Sequence, residues 1–225
     1  MTETDCGPDP GPLAPIDAAR ERLDRERREL AAEAAAFGTF AECVEEVSPD
    51  PPPAGTPRAP LIERQRSDAA ARLRAAYGET VMAVDHYDRV YDEPLAENAA
   101  AELGPDVADL FRPDVDVAFA PGFKEALLAA VETARRERTA LLAALEAEQE
   151  SLRTARRELD ATASGRASGD AVDRIDAVAA DRQHHLHSHS LPNRIDAHDL
   201  CEYLYADLDA TYPVLSAVAT LRDHL

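Results

Sequence analysis

Apolar residues return at intervals of seven near the start of the chain, where Ile16, Leu23, Leu30, Phe37 and Val44 keep one heptad register. That spacing brings a side chain back to one side of an α-helix every two turns. It predicts a first long helix over 15–47, with Pro15 in its first turn and a coiled-coil-like seam along one face. The companion seam positions are Ala19, Glu26, Glu33, Phe40 and Val47. They are apolar only towards the ends, so the seam is weaker in the middle than an ideal repeat. A second long helix is predicted over 121–163, opened by Pro121. In it Leu127, Val131, Ala134, Leu141, Leu145, Leu152, Ala155 and Leu159 follow a three-four spacing that Arg138 and Glu148 interrupt. At 1.5 Å per residue it is about 65 Å long against about 48 Å for the first. An intramolecular antiparallel hairpin of the two is the predicted core.

The remaining segments are shorter and punctuated by breakers. Gly7, Pro8, Pro10, Gly11 and Pro12 make residues 1–14 a flexible tail. Pro49, Pro51, Pro52, Pro53, Pro57 and Pro60 make 48–60 a Pro-rich linker of polyproline character, read as a spacer in preference to a ligand for an aromatic groove. Residues 61–120 form a cap of short helices. One starts near Ser67 with Ala70, Leu73, Ala76 and Tyr77 on one face. Asp85 is the expected N-cap of the next, Pro94 opens another, and Gly104-Pro105 closes it. Val115 to Phe119 alternates apolar and polar residues but has no pairing partner, which makes it a poor strand. Residues 170–225 supply further short helices, near 170–183, 196–208 and 213–225, around a His-rich loop at 183–189. The fold class is all-α: a long antiparallel, coiled-coil-like hairpin with a cap of short helices.

Charge changes the picture of habitat more than of fold. Asp and Glu number 44 against 24 Lys and Arg, a formal charge of −20, and Lys124 is the single lysine. A nucleic-acid groove needs clustered cations, and none is visible. The helix-turn-helix look of 196–225 fails for the same reason, with Arg222 its sole Arg or Lys. At multimolar salt the Debye length falls to about 3 Å or less, so the self-repulsion of such a chain is screened. The composition therefore points to a salt-in halophile; an acidic protein from a GC-rich genome would explain arginine over lysine but not the carboxylates. No apolar run approaches the roughly 20 residues of a membrane span, and the first residues lack the parts of a signal peptide. The expectation is a cytoplasmic chain with no membrane contact.

Candidate chemistry is sparse. Cys6, Cys43 and Cys201 are odd in number and far apart, unlike a disulfide framework or a CxxC pair. The densest ligand set is His184, His187, His189, His198 and Cys201, with His185 beside them: five histidines and a cysteine between 184 and 201. Imidazole and thiolate suit zinc, copper or nickel, and His198 and Cys201 are one helical turn apart. No pair has finger-like spacing, so a solvated irregular loop is the competing reading. Tyr77, Tyr87 and Tyr91 with Glu79, Asp85, His86 and Asp88 form a polar-aromatic cluster, read as packing anchors whose hydroxyls reach polar partners, with a ligand pocket as the alternative. No GxxxxGK[ST], GxGxxG, GxSxG or HExxH occurs. The sequence therefore predicts no catalytic residue and no cofactor.

The segments Tyr77-Gly78-Glu79-Thr80-Val81-Met82, His86-Tyr87, Glu93-Pro94-Leu95, Ala101-Glu102-Leu103-Gly104, Leu200-Cys201-Glu202-Tyr203-Leu204-Tyr205 and Thr211-Tyr212-Pro213-Val214-Leu215 resemble an uncharacterised family of small haloarchaeal coiled-coil proteins, a domain of unknown function. With the long helices, the resemblance covers most of 16–225. It implies an archaeal cytoplasm and a helical fold, and brings no activity, cofactor or catalytic residue with it. The expected function is a non-catalytic coiled-coil interaction or scaffold protein that binds a protein partner or itself. The alternative is a metal-binding or metal-sensing protein using 184–201.

Overall fold

Alanine, leucine, glutamate and arginine, which lose little side-chain freedom in a helix, dominate the two long runs. A computed structural model describes residues 11–50, 59–115, 117–165, 171–188 and 197–224, with side chains left aside at 59–68, 188, 197 and 198. Its helices are α1 Ala14–Glu46, α2 Ala59–Thr80, α3 Tyr87–Val90, α4 Leu95–Leu103, α5 Pro105–Ala108, α6 Pro121–Ala163, α7 Ala171–Ser188, α8 Ala197–Tyr205 and α9 Pro213–Asp223, with 3-10 turns at Val81–Ala83 and Asp109–Phe111. Among the described residues there is no strand, so the fold is all-helical.

Three local expectations need correction. Helix α2 begins at Ala59, inside the expected linker, and at 22 residues is not a short piece; Pro60 falls in its first turn, where a missing N–H costs nothing. Residues 183–188 are not a loop but the last turns of α7, because Leu186 continues the buried stripe of Ile175, Val178 and Arg182. Asp85 is not a cap: His86 occupies that position of α3, without a side-chain hydrogen bond to the helix. Residues 1–10 of the expected tail, most of the linker, His189 and the His198 side chain lie outside the described residues, and the last residue of that tail, Ala14, already belongs to α1.

The chain divides into two compact units, Met1–Arg28 with Ala140–Leu225, and Glu29–Thr139. In the first, Ile16, Ala19 and Leu23 of α1 are buried, as are Leu145, Leu152 and Leu159 of α6 and Ile175 and Val178 of α7. Helix α7 packs on α8 and α9. Each fully buried leucine stabilises by about 1.5–3 kcal/mol. Polar pairs between α1 and α6 run Asp17 to Arg156, Asp24 to Gln149 and Arg27 to Glu146. One number falls as the other rises, so these two segments are antiparallel.

In the second unit the core gathers Phe37, Phe40 and Val44 of α1, Leu73 and Tyr77 of α2, and Leu110, Phe111, Phe119, Leu127 and Val131. Phe40 meets Tyr77 edge-on at 5.1 Å, and Tyr77 lies 5.0 Å from Phe111. The lone lysine closes α1 here, its Nζ donating to the carbonyls of Glu45 at 2.6 Å and Val47 at 2.9 Å. These carbonyls have no partner within the helix, and a cation suits the negative end of its dipole. Asp50 clamps Phe119 from both sides: its N–H donates to the Phe119 carbonyl and its Oδ2 accepts the Phe119 N–H.

Candidate functional site

The charged residues that interrupt the apolar spacing are the buried ones. Glu148 stands three residues after Leu145 and four before Leu152, so α6 turns it inward, and the residue is 2% exposed. Arg182 holds the equivalent place on α7, four residues after Val178 and four before Leu186, and is 3% exposed. Arg182 donates through Nη1 and Nη2 to the two Glu148 oxygens at 2.8 and 2.7 Å. Its Nη1 also reaches Ser151 Oγ at 3.0 Å, and its Nη2 reaches Cys201 Sγ at 3.4 Å. The Tyr205 hydroxyl donates to Glu148 Oε1 at 3.0 Å, and His185 Nε2 lies 3.1 Å from Oε2. One carboxylate thus ties α6 to α7 and α8 through bidentate, charge-assisted bonds.

Burial by itself would raise the Glu148 carboxyl, but the hydrogen bonds from His185 and Arg182 and the charges of both outweigh it and hold the group at about 2. Burial, followed by the nearby Glu148 charge, pushes the Cys201 thiol up to about 11. Burial and Glu148 likewise raise the Tyr205 hydroxyl. Arg182 and His185 also border an open cleft of about 390 Å³ with Ser151, Thr154, Glu158 and Asp181. Both terminal nitrogens of Arg182 are engaged inside the fold.

A second cluster lies in the Glu29–Thr139 unit. Glu33, midway between Leu30 and Phe37, is 8% exposed. Its Oε1 is 2.8 Å from His86 Nε2 and accepts the Tyr91 hydroxyl at 3.0 Å, and its Oε2 accepts Arg138 Nε at 2.9 Å. Arg138 Nη2 extends to Glu102 Oε2 at 2.7 Å, and its guanidinium stands 4.7 Å from the Phe37 ring centroid. Burial raises the Glu102 carboxyl, with Arg138 opposing. Of the predicted polar-aromatic group, Tyr91 and His86 join this cluster. Tyr77 donates to Asn98 Oδ1 at 2.8 Å and Tyr87 to the Glu93 carbonyl at 3.0 Å, while Glu79, Asp85 and Asp88 are exposed.

The proposed metal ligands fare differently. His184 and His187 are exposed on α7, and His187 Nδ1 lies 2.6 Å from the Gln183 carbonyl of its own helix. Cys201 is 1% exposed and faces Arg182. Among the described residues no group of three His, Cys, Asp or Glu could hold an ion. His189 and the side chain of His198 lie outside the described residues.

Sequence reasoning passed over Glu148, Arg182, Glu33, Arg138 and Glu102 as chemistry. The signal was present: Glu26, Glu33, Arg138 and Glu148 were the breaks in otherwise apolar stripes. No helix among the described residues is long and apolar enough to cross a membrane. No curated protein matches the chain, and no solved structure does. A family described as a domain of unknown function (DUF7260) matches it over residues 14–172 and again over 166–225. The match spans nearly all of the helical sequence from α1 to α9, and the chain belongs to that family.

Proposed function

We propose that this protein is a non-catalytic helical interaction protein, which binds another protein or a second copy of itself through the faces of its long helices in the cytoplasm of a salt-accumulating cell. The observation that supports the reading is that the buried charged groups engage one another. Glu148 receives Arg182, His185 and Tyr205, and Glu33 receives Arg138, Tyr91 and His86. Groups so engaged position helices; a reacting group would need a lone pair or proton turned towards a substrate. The carboxylate-rich surface and the charge of −20 fit a partner met at high salt, where contacts rest on apolar area and shape more than on long-range attraction.

The test is co-purification of a chromosomally tagged copy from its own cells, kept in multimolar KCl throughout, with light scattering on the eluted peak. A stoichiometric second protein supports the hetero-partner form of the reading, and a discrete oligomer supports the self-associating form. A monomer that emerges alone would overturn both.

A further inference from the structure

Glu33 from α1, His86 and Tyr91 from the segment around α3, Glu102 from α4 and Arg138 from α6 meet in one place. Their ion-pairing side chains are 8% (His86), 10% (Glu33), 12% (Arg138) and 15% (Glu102) exposed. Two carboxylates face one guanidinium, which leaves one uncompensated negative charge in a place where little water screens it.

The groups around it do not supply the missing positive charge. Glu137 adds a further negative one. The hydroxyls of Tyr77, Tyr87 and Tyr91 are all held above their ordinary value, by burial first, and stay neutral. Glu93 faces Tyr87 and Asn98. Arg89 is bonded to Glu29 at 2.6 Å, with its side chain more than half exposed. A single proton on Glu102 balances the two carboxylates against the one guanidinium.

We propose that this cluster is a proton-binding switch, in which one exchangeable proton on the Glu102 carboxyl keeps the segment 84–103 against α1 and α6, and its release to solvent loosens that segment. No other bond changes in the step. The direction follows from Glu102, whose carboxyl is raised above its ordinary 4.5 chiefly by burial. Stabilisation by its protonated form is complete below that value and disappears as pH rises through the higher folded one. Loosening therefore lies on the alkaline side.

Hydrogen exchange of the full chain in multimolar KCl, followed from about pH 4 upwards through the ordinary Glu value of 4.5 and corrected for intrinsic exchange, reads this directly. High salt screens the surface carboxylates and leaves the buried set. The opening equilibrium of amides in 84–103 is expected to rise with pH, by at most about tenfold per pH unit for one linked proton. Amides in 145–160 should show no such rise. Glu102→Gln can still accept a hydrogen bond from Arg138 but cannot ionise, and it should flatten the slope. A flat profile in the unmodified protein, or an unchanged slope in E102Q, overturns the proposal. Should E102Q not fold, carbon-13 titration of the Glu carboxyls takes its place. A resonance that moves with the loosening supports the switch, and its absence overturns it.

Discussion

Glu148 stays ionised at a position where burial alone would neutralise it, and that fact sets what its loss must do. Removing one partner of a buried pair leaves the other charge without compensation, at a cost of about 3–5 kcal/mol. Glu148→Ala is expected to destabilise by that amount, and Arg182→Ala similarly. The double variant should cost far less than the sum, a coupling of about 2 kcal/mol or more by urea unfolding in high salt. Additive losses would show that the pair is not the source. The same pair fixes an acid limit. Because the folded carboxyl sits near 2 and its ordinary value is 4.5, its contribution is complete above 4.5 and is lost as pH falls towards 2. Unfolding free energy measured across that interval should fall more steeply in the unmodified protein than in E148Q. Cys201 gives an independent reading of burial at the same site. With the thiol moved from 9.0 to about 11, iodoacetamide should modify it in a C6A/C43A background about a hundredfold more slowly in the folded than in the unfolded chain. Half of this site was legible in advance. The breaks at Glu26, Glu33, Arg138 and Glu148 lay in open view within a heptad pattern, but the partners Arg182, Tyr205, His86 and Glu102 come from elsewhere in sequence, and no periodicity on one helix can name a residue on another.

Among the elements, the turn between α4 and α5 is where backbone conformation decides most. Gly104 closes α4 with φ +85° and ψ 167°, an essentially glycine-only region that a side chain enters at a cost of about 1–3 kcal/mol. A Cβ there would meet no other atom within 4 Å, so strain and not collision sets the penalty. Gly104→Ala should lower stability by about that amount, whereas Gly38→Ala, in mid-α1 with equally open surroundings, should raise it by about 0.5–1 kcal/mol through helix propensity. Thermal unfolding of the two variants side by side checks the opposite signs. Gly104-Pro105 was readable as a stop because both residues act on the backbone locally. Helix α7 was cut short for the converse reason. Gln183, His184 and His185 show no apolar period, and only Leu186, reached through an inward Arg182, carries the stripe into the last turn. Helix α2 likewise starts among prolines, and Pro60 there opens a helix instead of preventing one.

At the scale of the whole molecule, two kinds of charge respond differently to salt. The excess of 20 negative charges resides mainly on exposed side chains, where repulsion acts over a Debye length of about 10 Å at 0.1 M and about 3 Å at 1 M. The bonds of Glu148 with Arg182 and of Glu33 with Arg138 are short and buried, and salt screens them little. Unfolding free energy should therefore rise with KCl, most steeply below about 1 M, as repulsion on the surface is removed while the interior pairs persist. Above that concentration a shallower rise reflects stronger effective burial of apolar area. The comparison that separates these effects is sucrose at matched water activity, which strengthens burial without screening charge and should not reproduce the steep part of the curve. Urea midpoints measured along both series decide the matter. A midpoint that climbs equally with sucrose, or stays level in KCl, would mean that the acidic surface does not strain the fold, and the halophilic reading would lose its physical ground.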